Sequence, residues 1–222
     1  MPCCGVVTLD LMKTEPSTHL ILIRHGETEW NVEGRMQGHL DSPLTRSGEQ
    51  QALAVGERLR DEKFSSLYCS DLGRAQKTAA QIRWPTQVNL DARLRERHLG
   101  VFQGLTMEEA QRLHPDEFVQ FRSRAPDHVV PGGESRRQVQ RRVVAALLER
   151  AQAHRGETIV VVTHGGVLDV VYRFARSLAL DAPREHEMNN ASVNYLTWSQ
   201  AGLEIERWGD VTHLPNLSLD EI

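Results

Sequence analysis

Hydrophobic residues along the chain gather in short apolar runs that alternate with amphipathic stretches. Residues 19–24 (HLILIR) and 157–163 (ETIVVVT) are apolar almost throughout and rich in β-branched residues. Such runs are typical of strands covered on both faces. The predicted strands comprise residues 19–24, 66–69, 87–90, 157–163, 193–198 and 203–208, the last two forming a hairpin.

Between these runs, a Ser or Thr followed three positions later by Glu or Gln marks three helix starts. The pairs are Ser47 with Gln50, Thr106 with Glu109, and Ser135 with Gln138. The predicted helices are residues 47–60, a short helix from 106 that Pro115 interrupts, 135–154, and two more at 72–84 and 165–180. This alternation predicts an α/β three-layer sandwich, with a mostly parallel central sheet and helices on both faces.

Length and composition limit the remaining possibilities. With 222 residues, 40% hydrophobic and 25% charged, the chain has the composition of a globular protein and not of a disordered or fibrous one. No apolar run approaches the roughly 20 residues of a membrane span, and a net charge of −4 argues against nucleic-acid binding. We therefore expect a flexible tail at residues 1–18, followed by a single domain at 19–222.

The three cysteines match neither a zinc-site spacing nor a disulfide framework, and Cys3 and Cys4 are adjacent. This usage favours a reducing compartment, and we expect a cytoplasmic protein. No signal peptide is evident in residues 1–18.

Charged side chains follow four of the predicted strands, at the edge where α/β sheets bind ligands. Arg24 and His25 follow the first strand, Arg74 the second, Glu96 the third and His164 the fourth. Arginine clamps phosphoryl oxygens, a neutral imidazole attacks phosphorus, and a glutamate can protonate a leaving alkoxide. The set predicts phosphoryl transfer through a phosphohistidine.

A metal centre is the weaker interpretation of the same residues. Asp71, Glu96, His25 and His164 could be ligands, but they show no metal-binding spacing. Two arginines at the centre would also repel a divalent cation. We expect no metal.

Several motifs together resemble the histidine phosphatase superfamily, in its phosphoglycerate mutase-like branch and of the compact phosphatase type. The resemblance covers roughly residues 19 to 213. It is carried by residues 22–31 (LIRHGETEWN), 35–38 (RMQG), 41–45 (DSPLT), 70–75 (SDLGRA), 94–100 (LRERHLG), 103–104 (QG), 132–135 (GGES) and 163–165 (THG).

The resemblance implies a role for individual residues. His25 would be the phosphorylated nucleophile and Glu96 the proton donor and acceptor. The phosphate pocket would be formed by Arg24, Arg74 and His164, with Asn31 and the Gly165 amide assisting. Gln37 and Gly38 lie on a loop that could face the substrate, and Arg97 could bind a carboxylate.

Three functions remain open. A phosphatase would release phosphate from a small phosphorylated metabolite and needs no cofactor. A phosphoglycerate mutase would use 2,3-bisphosphoglycerate, but the family's mutases carry a longer insertion between the glutamate and the second histidine. Only 68 positions separate Glu96 from His164 here, which favours the phosphatase. A non-catalytic phospholigand-binding protein is the remote third alternative.

Two further expectations concern the surface. Arg136, Arg137, Arg141 and Arg142 occur at helical spacing, which is typical of a solvated face. A homodimer formed through an edge strand is compatible with the sequence, although no feature requires it. No membrane partner is expected.

Overall fold

The computed structural model describes residues 16–214. Its six-stranded sheet has the order β3-β2-β4-β1-β5-β6. The strands are β1 Thr18–Arg24, β2 Ser66–Cys69, β3 Asn89–Leu90, β4 Thr158–Thr163, β5 Val193–Ser199 and β6 Gly202–Asp210. Strands β1 to β4 are mutually parallel, while β5 and β6 add an antiparallel hairpin beside β1. The predicted mostly parallel sheet is confirmed.

Seven α-helices connect and cover the strands in the part of the chain that the structure describes. They are α1 Glu29–Val32, α2 Arg46–Arg58, α3 Gly73–Ala79, α4 Met107–Leu113, α5 Pro115–Arg122, α6 Arg136–Ala153 and α7 Gly165–Ala175. Short 3-10 turns at Ala92–Leu94 and Gly100–Phe102 follow β3.

The sheet is buried on both faces because successive side chains of a strand point to opposite sides. Leu20 and Leu22 of β1 pack into one core with α6 and α7. Ile21 and Ile23 pack into a second core with α2 and α3. This confirms the three-layer sandwich, and it explains why β1 and β4 are apolar without alternation.

Three predicted helix boundaries are wrong. Thr45, not Ser47, caps α2, because its extended backbone lets its hydroxyl accept from the Gly48 amide at 2.9 Å. Helix α3 ends at Ala79, five residues before Trp84. Helix α7 ends at Ala175, because Ser177 adopts a left-handed φ of 53° and the Leu178 amide bonds back to the Arg173 carbonyl.

The other predicted elements agree closely with the structure. Both capping boxes at Thr106 and Ser135 are present, and Pro115 ends α4 and occupies the first turn of α5. Strand β1 begins at Thr18, one residue earlier than predicted, and β3 has only two residues.

Part of the predicted tail, with Cys3 and Cys4, lies outside the described residues. Within them, Cys69 is a free thiol in β2, and burial raises its pKa to about 12. No helix in residues 16–214 is long and apolar enough to cross a membrane.

Candidate active site

His25 lies directly after β1 and is 3% exposed. Its Nδ1 is 2.8 Å from the Gly26 carbonyl oxygen, and its Nε2 is 3.3 Å from Nε of Arg74. The Arg74 Nε always carries a proton, so Nε2 is the acceptor and Nδ1–H donates to Gly26. Burial, followed by the charges of Arg74 and Arg24, holds the pKa of His25 well below its ordinary value. His25 is therefore a neutral imidazole with its lone pair on Nε2.

Arg74 is held rigidly beside this nitrogen. It lies at the start of α3, where its guanidinium donates to the carbonyls of Leu40 and Gly38 at 2.7 and 2.8 Å. It also forms an ion pair with Asp41 at 2.7 Å, and Asp41 accepts from the backbone at the start of α3. A positive charge in a fixed position next to His25 suits a developing phosphoryl charge.

Arg24 is the last residue of β1 and precedes His25 in the chain. Its Nη1 donates to the Met188 carbonyl oxygen. A Cβ on Gly165 would lie 3.3 Å from Arg24 Nε. The glycine therefore lets the start of α7 and the guanidinium come close together.

His164 directly follows β4, and its ring makes an edge contact with His25 at 5.2 Å between centroids. Ser70 Oγ accepts from the Leu72 amide and lies 2.7 Å from His164 Nε2, to which it can donate its own proton. This assignment leaves the proton on Nδ1, which is buried and has no hydrogen-bond partner within residues 16–214. Burial and the charge of Arg74 lower the pKa of His164. His164 thus offers a neutral donor next to His25.

The Glu96 carboxylate is oriented by two backbone amides. Oε1 accepts from the Arg97 amide at 2.6 Å, and Oε2 accepts from the Gly166 amide at 2.8 Å. A Cβ on Gly166 would overlap Oε1, so a glycine is required for this approach. The start of α7 therefore contacts both Arg24 and the Glu96 carboxylate.

Arg142 of α6 holds the segment that carries Glu96. Its guanidinium donates to the carbonyls of Arg93, Arg95 and Glu96 at 2.7–2.8 Å, and to both carboxylate oxygens of Glu134 at 2.8 Å. The predicted solvated face is therefore wrong for Arg142, and also for Arg136, which bonds Asp169. Arg142 therefore makes five hydrogen bonds, to residues 93–96 and to Glu134, and these bonds hold the two segments together.

We expect Arg142→Gln to lower the free energy of unfolding by about 2–4 kcal/mol, because Glu134 and three carbonyls lose their donor. Urea denaturation measures the change. Arg141→Gln removes an exposed neighbour on the same helix and is the matched control. Equal stability of the two variants would contradict the bracing role.

The buried His25 also predicts how stability depends on pH. In the unfolded chain its pKa returns to about 6.5, so below that pH the unfolded state binds one more proton than the folded state. The free energy of unfolding therefore decreases as the pH falls below about 6.5, by up to about 1.4 kcal/mol per pH unit for this histidine. Urea denaturation between about pH 7 and pH 5 should give His25→Asn a shallower slope than the unsubstituted protein. Identical slopes would contradict the lowered pKa.

Two adjoining cavities surround these groups. The smaller, of about 160 Å³, is lined by Arg24, His25, Arg74, Asn31 and Glu96, among others. The larger, of about 580 Å³, shares Glu96 and Gly166 with it and extends towards α5 and α6. No cluster of three or more His, Cys, Asp or Glu side chains that could hold a metal ion occurs in residues 16–214.

Comparison with known proteins places this site in a family. The model of the histidine phosphatase superfamily (branch 1) matches residues 20–211. The chain belongs to this superfamily, whose members transfer phosphoryl groups.

Two plant relatives and one solved structure illustrate the similarity. Phosphoglycerate mutase-like protein 4 of Arabidopsis thaliana is 43% identical, over 88% of this chain and 86% of the relative. A metal-independent phosphoserine phosphatase of the same plant is 39% identical, over 90% and 84%. The structure of Bacillus stearothermophilus YhfR aligns with a TM-score of 0.80 at 37% identity, covering 89% of this chain and 99% of that one.

The structure brings most of the predicted site residues together. His25, Arg24, Arg74, Asn31, Glu96 and Gly165 all line the smaller cavity, with His164 packed against His25. Gln37 and Gly38 also line it. The Gln37 amide, however, donates to Thr28 at 2.7 Å, and Gly38 holds Arg74 through its carbonyl. Arg97 lines the larger cavity instead.

Sequence reasoning missed three residues that orient this set, namely Asp41, Ser70 and Arg142. Glu134, in the motif at residues 132–135, is predicted only as a helix-entry cap or a partner of a site residue. Asp41 and Ser70 also lie within the family motifs, at residues 41–45 and 70–75, but nothing in the sequence indicated which side chains they would meet.

Proposed function

We propose that this protein is a metal-independent phosphomonoester hydrolase, acting on a small phosphorylated metabolite through a phosphohistidine on His25. The observation that carries the proposal is the lone pair on Nε2 of a buried, neutral His25 between two guanidiniums. Neutrality makes the ring a nucleophile, and the cations attract the phosphoryl group.

In the first step, the Arg74 Nε–H group that contacts His25 Nε2 turns to a phosphoryl oxygen and leaves the lone pair free. His25 Nε2 then attacks phosphorus, and the bond from phosphorus to the ester oxygen breaks. Glu96, in its acid form, gives its proton to that oxygen, and the alcohol leaves. The Nδ1–H bond to the Gly26 carbonyl stabilises the positive charge that the ring acquires. Arg24, Arg74 and the His164 Nδ1–H group donate hydrogen bonds to the phosphoryl oxygens and so stabilise their negative charge.

In the second step, the Glu96 carboxylate takes a proton from a water molecule, and the oxygen attacks phosphorus. The bond from phosphorus to Nε2 breaks, phosphate is released, and His25 regains its lone pair. Glu96 is again in its acid form, so the cycle closes without a further reactant.

A bisphosphoglycerate-dependent mutase is the second candidate, since a relative that is 43% identical carries a mutase-like name. A mutase must keep water from the phosphohistidine. The phosphate pocket here adjoins a cavity of about 580 Å³, which gives water room to enter. This favours hydrolysis.

The test is a paired assay on one preparation. Phosphate release from a panel of phosphomonoesters, including phosphoserine, is followed beside conversion of 3- to 2-phosphoglycerate in the presence of 2,3-bisphosphoglycerate. We expect phosphate release without isomerisation. Isomerisation that depends on the bisphosphate would make the protein a mutase and overturn the proposal.

A further inference from the structure

The larger cavity is the continuation of the active site on the side where the alcohol part of a substrate must lie. It meets the phosphate pocket at Met36, Glu96, Leu99 and Gly166. Glu96 would protonate the leaving oxygen, so the rest of the alcohol extends past it into this space. A volume of about 580 Å³ lies in the range of small-molecule sites and exceeds what a three-carbon acid fills.

The cavity wall is strongly cationic. Five arginines line it, against two acids, Glu96 and Asp169; the arginines are Arg97, Arg122, Arg124, Arg136 and Arg184.

Asp169 offsets only part of this charge, because it pairs with Arg136 of the wall and is shared with Arg173 and His186, which do not line the cavity. Arg136 reaches it at 2.8 Å, Arg173 at 2.9 Å, and His186 Nε2 at 3.2 Å. Glu96 takes part in the proposed reaction. With five arginines against two acids, the lining side chains carry a net positive formal charge.

Among these five arginines, Arg124 has a buried N–H group that lacks an acceptor within residues 16–214. It follows the C-cap of α5 and has a left-handed φ of 62°, a conformation that commonly ends a helix. Its Nε is buried and has no hydrogen-bond partner among the residues that the structure describes. Burial, with Arg173 nearby, lowers its pKa. A buried guanidinium N–H without an acceptor is stabilised when an anion binds there.

Arg97 follows Glu96 in the chain and lines the same cavity as Arg124. Its Nε donates to the Glu134 carbonyl at 2.7 Å and its guanidinium lies 5.6 Å from the Phe121 ring centre. Burial and the charge of Arg136 lower its pKa to about 10, so it stays charged at neutral pH. The rest of the wall is apolar, formed by Met107, Phe121, Val139, Val170 and Pro183 among others.

We propose that the physiological substrate is a phosphomonoester of an extended alcohol that carries a second anionic group, bound at Arg124 and separated from the ester oxygen by an apolar body. This inference rests on the proposed function, because it assumes that the phosphoryl group is seated at His25. It assigns the larger cavity to the distal end of the substrate.

A matched set of esters tests the charge and the length separately. 6-Phosphooxyhexanoate, 6-phosphooxyhexanamide and 3-phosphooxypropanoate have similar leaving alcohols and differ in distal charge or in reach. We expect kcat/KM for the hexanoate to exceed that for the amide and for the propanoate by at least about tenfold, as for a charged hydrogen bond. Hexane-1,6-diyl bisphosphate shows whether a distal phosphate is preferred to a carboxylate.

Variants at Arg124 then locate the distal contact. Arg124→Gly removes the guanidinium and relieves the left-handed backbone, so its stability is expected to be retained. The ratio of kcat/KM between hexanoate and hexanamide should fall about tenfold in this variant, mainly through KM, and Arg124→Lys should restore part of it. Arg137→Gln, whose side chain pairs with Asp127 outside the cavity, should keep the ratio.

Binding separates this inference from the proposed function. In the His25→Ala protein, titration calorimetry should give tighter binding of the hexanoate than of the hexanamide. If both esters are hydrolysed and bound equally well, the distal site is overturned and the phosphatase stands. If the hexanoate binds more tightly but neither ester is hydrolysed by the unsubstituted protein, the phosphatase is overturned and the distal site stands.

Discussion

Replacing His25 with alanine is expected to reduce kcat for every phosphomonoester by at least about 10⁴-fold, the scale on which loss of a nucleophile acts. The reason is the arrangement around Nε2, since His25 is the imidazole whose lone pair Arg74 and Gly26 orient in the phosphate pocket. His164, although only 5.2 Å away between ring centres, has its Nε2 engaged by Ser70. Phosphate release from p-nitrophenyl phosphate measures the effect.

The matched control is His154→Ala. His154 contacts Tyr68 and Glu157 at the opposite end of β4, so its loss should leave kcat within about twofold. Thermal unfolding of both variants establishes that they remain folded. A His25→Ala protein that retained more than about 1% of kcat would contradict the nucleophile assignment.

Removing the Glu96 carboxylate is expected to have the second-largest effect, and one that depends on the leaving group. Alanine is the informative substitution, because the amide nitrogen of a glutamine would face the Arg97 or Gly166 N–H group. Alkyl phosphates need a proton donor for their strongly basic alkoxides, so kcat/KM, which reports the steps up to release of the alcohol, should fall by about 10²–10⁴-fold. For p-nitrophenyl phosphate, whose phenolate leaves without a proton, we expect kcat/KM to fall by about tenfold or less, while kcat falls further because Glu96 also activates the water of the second step.

Glu108→Ala, at an exposed position in α4, is the control and should change neither rate. If the Glu96 variant lost kcat/KM equally on the alkyl and the p-nitrophenyl esters, Glu96 would position the substrate and would not supply the proton.

The reactive groups could be predicted from the sequence because they depend on local rules. A buried parallel strand has a continuous apolar pattern, and the first polar residues after it lie at the ligand-binding edge. These two rules are enough to bring Arg24, His25 and His164 to one edge of the sheet. The motifs extended the prediction to Asn31, which spacing alone did not single out.

The groups that orient them could not be predicted, because their partners are distant in sequence. Arg74 donates to the Asp41 carboxylate, which is 33 positions away in the sequence, and Arg142 donates to the Glu96 carbonyl, which is 46 positions away. In the sequence Arg142 lies in a helical run of arginines that is typical of a solvated face. Only the packing of α6 against the segment after β3 brings its guanidinium within hydrogen-bond distance of the carbonyls there. The cationic cavity escaped prediction for the same reason, since its arginines come from separate segments.

The phosphoenzyme itself is the most direct test of the central claim, that the phosphoryl group passes through His25. Enzyme mixed with excess phosphomonoester is quenched within one turnover at alkaline pH, where phosphohistidine survives, and analysed by intact mass and peptide mapping. The account predicts one phosphoryl group per chain, located on His25 and formed at least as fast as steady-state turnover. Turnover without a phosphoenzyme, or a phosphoryl group mapped to another residue, would contradict it.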